Sequence, residues 1–199
     1  MVKVLRKKIR KKLLVIGDSG CGKTSLLYRY TVGEFIGEFF PLCYENFVVE
    51  FQIKSTIVEM TLWDSVDTTE YDRMRALYYA NCDIIMICYS VENHESLENV
   101  EKKWIPQIQN YYKKIPIVLM ALKTDLRRDP AVLYKLNEQS LRVITRSEGR
   151  AVADKIGAYG YLECSARILD GVDEPFQYIA KVVYKTHEEP QDKKKCIIV

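Results

Sequence analysis

Residues 17–24 read Gly17-Asp18-Ser19-Gly20-Cys21-Gly22-Lys23-Thr24, which fills every fixed position of the phosphate-loop pattern G-x-x-x-x-G-K-[ST]. The residue types follow from the chemistry. Glycines let the backbone curl until its N–H groups converge on phosphate oxygens. A helix beginning at the loop's end adds its positive N-terminus. In such a loop Lys23 reaches the β- and γ-phosphates, Thr24 sets its hydroxyl on Mg²⁺, and Ser25 continues the nucleotide-facing segment. The context agrees: residues 13–16 are an apolar strand-like run and residues 24–30 read as the start of a helix.

The same alternation continues outward. Residues 47–53 and 57–63 read as two strands joined near Lys54-Ser55-Thr56, a hairpin without the favoured Asn-Gly or Asp-Gly turn. Residues 83–89 and 115–122 are near-continuous apolar runs, as expected of strands buried on both faces of a parallel sheet. Residues 161–164 form a shorter one. Helical periodicity places Leu97, Val100, Trp104, Ile105 and Ile108 on one face of residues 96–111. Residues 147–156 and 172–184 are two more helices, the last with Val172, Phe176, Ile179, Val182 and Val183 on one face. Strands alternating with helices imply a doubly wound α/β sheet. Residues 127–145 interrupt it with a long polar connection carrying its own helix near 131–139.

Composition narrows the class. The 199 residues suffice for one α/β domain, expected over residues 1–186, followed by a flexible basic tail over 187–199. Net charge is only +3 and identifies no partner. Lys3, Arg6, Lys7, Lys8, Arg10, Lys11 and Lys12 form a basic cluster, read here as a solvated run leading into the first strand. The six cysteines (Cys21, Cys43, Cys82, Cys88, Cys164 and Cys196) show no C-x-x-C pair and no zinc or disulfide spacing, so buried reduced thiols are expected. The first apolar run is too short for a signal peptide, and none approaches the roughly 20 residues of a membrane span. No nucleic-acid-binding motif accompanies the basic ends, so no nucleic acid is expected.

From about residue 8 to the C-terminus the chain resembles the Rho family of Ras-like small GTPases. The runs that carry the resemblance are Leu62-Trp63-Asp64, Glu70-Tyr71-Asp72-Arg73-Met74-Arg75, Cys88-Tyr89-Ser90, Trp104-Ile105-Pro106 and Glu163-Cys164-Ser165-Ala166, with residues 127–145 where that family carries its insert helix. The resemblance implies a P-loop NTPase fold: a mostly parallel six-stranded sheet flanked by helices. It implies GTP or GDP and Mg²⁺ as ligands, with effector proteins and exchange factors as partners. Lys123 and Asp125 resemble the pair that reads guanine. Asp125 would accept from the ring N–H and the exocyclic amine, a donor pair adenine lacks, while the Lys123 stem lies along the base. Ser165 and Ala166 resemble the second base loop, Phe35 the aromatic residue packed on the base, and Asp64 the carboxylate reaching Mg²⁺ through water. Pro41, Leu42, Cys43, Tyr44, Glu45, Asn46 and Phe47 occupy the effector region.

Five positions depart from the family pattern. Ser19 replaces a glycine and projects toward the space of the attacking water and an arginine finger. Leu42 replaces the threonine that binds Mg²⁺ and senses the γ-phosphate. Asp67 replaces a glycine and sets a carboxylate near an anion. Thr68 replaces the glutamine that orients water, so no catalytic residue is assigned. Leu122 replaces the polar residue that braces the phosphate loop. Phosphoryl transfer depends on positioning and charge stabilisation, so GTP hydrolysis is expected to be very slow. Slow hydrolysis favours an accumulated GTP form, whereas Leu42 and Asp67 weaken γ-phosphate recognition. Two other readings remain: an active GTPase with altered catalytic residues, and a pseudo-GTPase interaction module that does not use nucleotide.

The chain ends Lys193-Lys194-Lys195-Cys196-Ile197-Ile198-Val199. This is a C-a-a-X pattern with an upstream basic run. Cys196 is the expected prenylation site, and the lysines supply the second signal toward anionic lipid. The expected location is the cytoplasmic face of the plasma membrane or endomembranes, with a cytosolic pool.

Overall fold

The structure, a computed structural model, describes residues 7–35, 46–65 and 72–188, with residues 72–75 as backbone only. Six strands form one sheet in the order β2-β3-β1-β4-β5-β6: β1 (Lys7–Gly17), β2 (Asn46–Ile53), β3 (Thr56–Asp64), β4 (Ile84–Ser90), β5 (Ile117–Leu122) and β6 (Gly160–Glu163). All neighbours are parallel except β2 and β3, the predicted hairpin, whose turn is Lys54-Ser55. Without the favoured glycine, Lys54 itself takes the left-handed conformation, φ +51°.

Both faces of the sheet are covered, and this explains the unbroken apolar run of β4, buried at every residue. On one face Val15, Met60, Met86 and Met120 pack under α1 (Lys23–Val32) and α7 (Asp173–Glu188), which contribute Leu26, Leu27, Phe176, Ile179 and Val183. On the other, Leu14, Ile16, Ile85, Ile87 and Leu119 meet α2 (Asp72–Tyr79), α3 (His94–Asn99), α4 (Ile105–Gln109) and α6 (Arg146–Lys155). A π turn, Val100–Trp104, joins α3 to α4 in one continuous rod. The rod starts two residues before the periodicity indicated, because the Asn93 side chain caps it by accepting from Ser96 N. The expected insert helix is α5 (Pro130–Glu138), capped by Asp129, which accepts from Ala131 N and Val132 N. Helix α7 continues through Glu188.

The N-terminal basic run corrects the sequence reading. Strand β1 begins at Lys7, not at residue 13, and pairs with β3 from Lys7 to Val15. Its cations are partnered from neighbouring elements. Lys8 pairs with Glu50 at 2.8 Å and also with Glu59, Arg10 with Glu59 at 2.9 Å, and Lys11 with Asp83 at 2.8 Å. The Lys12 ammonium donates to Leu77 O and Ala80 O at the end of α2 and lies 3.8 Å from the centre of the Trp63 ring. Four of the cysteines, Cys21, Cys82, Cys88 and Cys164, are buried free thiols as expected.

Candidate nucleotide site

The loop of residues 17–23 leaves the C-terminal end of β1, at the centre of the sheet. Gly17 is required there: its φ is +145°, and a Cβ would stand 2.2 Å from the Cys88 carbonyl oxygen on β4. Gly22 also has positive φ, +107°, and turns the chain into α1. Lys23, the first residue of that helix, folds back over the loop. Its ammonium donates to Gly17 O at 2.6 Å and Asp18 O at 2.9 Å, and the residue is only 6% exposed. A cation so held, beside a helix N-terminus, is a site for phosphate oxygens. Ser19 and Gly20 are exposed at the loop's tip, and Ser25 is half-buried in α1. Cys21 is buried, and burial pushes its thiol pKa up against the pull of Lys23.

The two residues expected at the metal are brought together. Thr24 Oγ1 donates to Asp64 Oδ2 at 2.5 Å, from the start of α1 to the end of β3. Asp64 Oδ1 is buried with no hydrogen-bond partner among the described residues, as is the hydroxyl of Ser65. Burial pushes the Asp64 carboxyl up, while Thr24 and Lys23 pull it down. An orphaned carboxylate oxygen next to a hydroxyl is a hard-oxygen donor set, and it fits Mg²⁺.

The base side is assembled from the ends of β5 and β6. Lys123 adopts φ +59°, and its stem lies beside Gly22, under 4 Å from where a Cβ on that glycine would be. Its ammonium pairs with Glu92 Oε1 at 2.8 Å. Asp125, in the 3-10 turn Thr124–Arg128, accepts from Ser165 Oγ at 2.6 Å. Ser165 is fully buried and held by two backbone hydrogen bonds to Asp170, and Thr124 N donates to Cys164 O at 3.2 Å. Ala166 follows, half-buried. Phe35 is 43% exposed beyond the end of α1. Leu122, at the position expected to brace the loop, is 2% exposed and packs its Cδ1 toward Gly22.

The brace that Leu122 does not supply comes from a residue whose role sequence reasoning missed. The Asp18 carboxylate accepts from Asn99 Nδ2 at 2.7 Å and Trp104 Nε1 at 2.9 Å, with the Lys103 ammonium at 3.8 Å. The phosphate loop is thereby tied to the rod at its π turn, a feature common at functional sites. Glu92 was missed as well, since it belongs to none of the quoted motifs. Trp104 was read only as an apolar helix position and as part of a family run. Asn46 and Phe47 open β2, exposed and half-buried respectively. Pro41, Leu42, Cys43, Tyr44, Glu45, Asp67, Thr68, Cys196 and the lysines at 193–195 lie outside the described residues.

Comparison with known proteins agrees with this geometry. The profile described as "Ras family" matches residues 12–185. The GTP-binding protein rho5 of Schizosaccharomyces pombe is 40% identical over 196 residues, covering 96% of this chain and 98% of that protein. The GTP-binding protein rho1 of the same organism is 38% identical over 198 residues, with the same coverage. The GTP-binding protein RHO1 of Candida albicans is 39% identical over 191 residues, covering 96% of each chain. The six-stranded sheet, the insert helix and these relatives agree, and the chain belongs to the Rho family of Ras-like small GTPases.

Proposed function

We propose that this chain is a guanine-nucleotide-binding switch that holds GTP or GDP with Mg²⁺ and hydrolyses GTP very slowly. One observation carries the binding half. The phosphate loop with Lys23, the Thr24–Asp64 pair and the Asp125–Ser165 pair all lie at the C-terminal ends of β1, β3, β5 and β6, where ligands of open α/β sheets bind. Lys23 would meet the β- and γ-phosphates, and Thr24 and Asp64 would hold the metal, the latter through water. Asp125 would select guanine, with Ser165 and Ala166 completing the base loop and Phe35 covering the base. The slow hydrolysis rests on Thr68, which lacks the amide that orients the attacking water, and on Ser19, which projects toward the space of that water and an arginine finger.

Effectors would engage the segment from Pro41 to Phe47, where Leu42, Cys43 and Tyr44 make an unusual surface, and exchange factors would reload the site. Cys196 would carry a prenyl group beside Lys193, Lys194 and Lys195, on a basic tail that follows α7. This would hold the protein at the cytoplasmic face of membranes with a cytosolic pool.

The test is the nucleotide content of unprocessed protein purified with Mg²⁺, denatured and resolved by chromatography. Bound GTP is the expected result. Bound GDP calls for single-turnover hydrolysis, where a rate typical of Rho proteins refutes slow turnover. Protein free of nucleotide supports the pseudo-GTPase reading instead.

A further inference from the structure

Behind the base loops lies a second set of contacts that touches no expected ligand position. Arg127 stands two residues after Asp125, and Glu163, the last residue of β6, stands two residues before Ser165. Their side chains meet fork to fork. Arg127 Nη1 donates to Glu163 Oε2 and Nη2 to Oε1, both at 2.8 Å. The remaining guanidinium direction is also used: Nε donates to Ile144 O at 2.9 Å, so the fork cannot swing. From below, Tyr161 donates its hydroxyl to Glu163 Oε1 at 2.5 Å, and that hydroxyl lies 2.8 Å from the one on Tyr89. Gly149 leaves room for both, since a Cβ there would fall within 2.2 Å of each hydroxyl oxygen. The pair is well shielded, with 22% of the arginine and 13% of the glutamate side chain exposed. Burial pushes the Glu163 carboxyl up, but the hydrogen bonds from Arg127 and Tyr161 outweigh it and hold the group below its ordinary range.

Recognition of a base edge from two separate segments requires a fixed distance between them. Asp125 comes from the turn after β5, and Ser165 from the loop after β6. The link from Thr124 N to Cys164 O and the one from Ser165 Oγ to Asp125 lie at the ligand side. The Arg127–Glu163 fork is the third link, on the far side, and its planar bidentate geometry fixes orientation as well as distance.

We propose that Arg127 and Glu163 are positioning residues for guanine selection: their ion pair sets the Asp125 carboxylate against the Ser165 loop. The proposal rests on the guanine-nucleotide reading above. The experiment uses the full chain with Mg²⁺ and compares GDP with inosine diphosphate, which lacks the exocyclic amine that Asp125 would read. Wild type, Glu163→Gln, Arg127→Lys and Ile179→Val are assayed for the two dissociation constants and for thermal stability. Ile179 is a buried residue of α7, on the opposite face of the sheet. We expect Glu163→Gln and Arg127→Lys to weaken GDP roughly tenfold and to lower the preference for GDP over inosine diphosphate about threefold or more. Ile179→Val lowers the melting temperature and leaves the preference unchanged. A preference equal to wild type in both clamp variants, whatever their melting temperatures, overturns the proposal and leaves the pair a purely structural one. If one clamp variant does not fold, the other decides by the same ratio. A wild-type chain that binds neither nucleotide overturns the guanine-nucleotide reading and the clamp with it. Wild-type binding with an unchanged ratio in the variants overturns the clamp alone.

Discussion

Removing the indole N–H that ties the phosphate loop to the π turn tests whether that tether serves the nucleotide. Trp104→Phe keeps an aromatic ring in a site that is 3% exposed but leaves Asp18 with Asn99 and the more distant Lys103. A hydrogen bond to a charged group contributes about 2 kcal/mol, and the Asp18 side chain, 15% exposed, recovers little of it from water. The smaller ring adds a cavity cost of about 1 kcal/mol. The total of about 3 kcal/mol lowers the melting temperature of a domain this size by roughly 10 °C. The hydrogen-bond part acts on the loop itself, because the Asp18 carbonyl also accepts from Lys23. If the loop grips phosphate only in this shape, about 2 kcal/mol appears in GDP binding, an acceleration of release of roughly 30-fold. Asp18→Asn leaves the indole packing intact and turns an amide against a donor, so it should speed release similarly. Release is followed with a fluorescent GDP analogue chased by excess unlabelled GDP. Rates within about twofold of wild type in both variants, at reduced melting temperatures, would mean that the tether supports the fold and not the phosphate grip.

Chelation by EDTA should speed GDP release by about tenfold or more, because on the proposed reading Thr24 and Asp64, which meet at 2.5 Å, would hold the metal that couples nucleotide to protein. Thr24→Ala and Asp64→Asn should release fast with or without chelator, and a wild-type rate indifferent to EDTA refutes the metal assignment. Gly149→Ala should destabilise by about 3 kcal/mol, since the new Cβ meets the hydroxyls of Tyr89 and Tyr161 at 2.1 and 2.2 Å. Urea unfolding checks this, and the gain expected from helix propensity alone would contradict the packing. Glu148 is held at about 2, below its ordinary 4.5, by hydrogen bonds from the Arg142 guanidinium and then Thr145, against the cost of burial. A depressed carboxyl contributes stability that is present above 4.5 and is lost as pH falls toward about 2. Glu148→Gln should therefore lose stability at neutral pH and show a flatter acid limb than wild type. Parallel limbs in a pH series of urea midpoints would refute that contribution.

What the sequence could reveal depended on whether a residue's partner was near in the chain. The phosphate loop was legible because its eight residues, 17–24, are consecutive and its glycines answer to local backbone shape. The strands β4 and β5 were legible because burial on both faces leaves an unbroken apolar run. The start of β1 was not, since its polar residues look solvated until Glu50, Glu59 and Asp83 arrive from other strands and turns. The Asp18 tether joins residues 81 and 86 positions apart, and neither Asn99 nor Trp104 carries a pattern that names its partner. The π turn is equally silent, because Leu97, Val100, Trp104 and Ile108 keep a helical period through it. The base loops became legible only through the resemblance, since a K-x-D and an S-A dipeptide carry no signal alone.

By the resemblance, the departures from the family pattern fall on two sides of the site, and of the five the structure describes Leu122 and Ser19. Leu122 replaces a polar brace on the base side, yet it is a packed core residue, and other groups assume the bracing. Asp18 is tied to the rod, and Glu92 holds the Lys123 stem beside Gly22. The loss of one hydrogen-bonding residue there is offset within the same neighbourhood. At the γ-phosphate side the departures are Ser19, Leu42, Asp67 and Thr68. Of these Ser19 is described, and it stands exposed beside Gly20, where even an added Cβ would find no atom within 4 Å. On the proposed reading, then, nucleotide hold and nucleotide turnover are separable in this chain. A protein that holds nucleotide firmly but hydrolyses slowly ends its signal by release and not by chemistry. On that reading its signal lifetime would be set by the dissociation rate, which the Asp18 tether and the proposed Arg127–Glu163 clamp would control from opposite ends of the site.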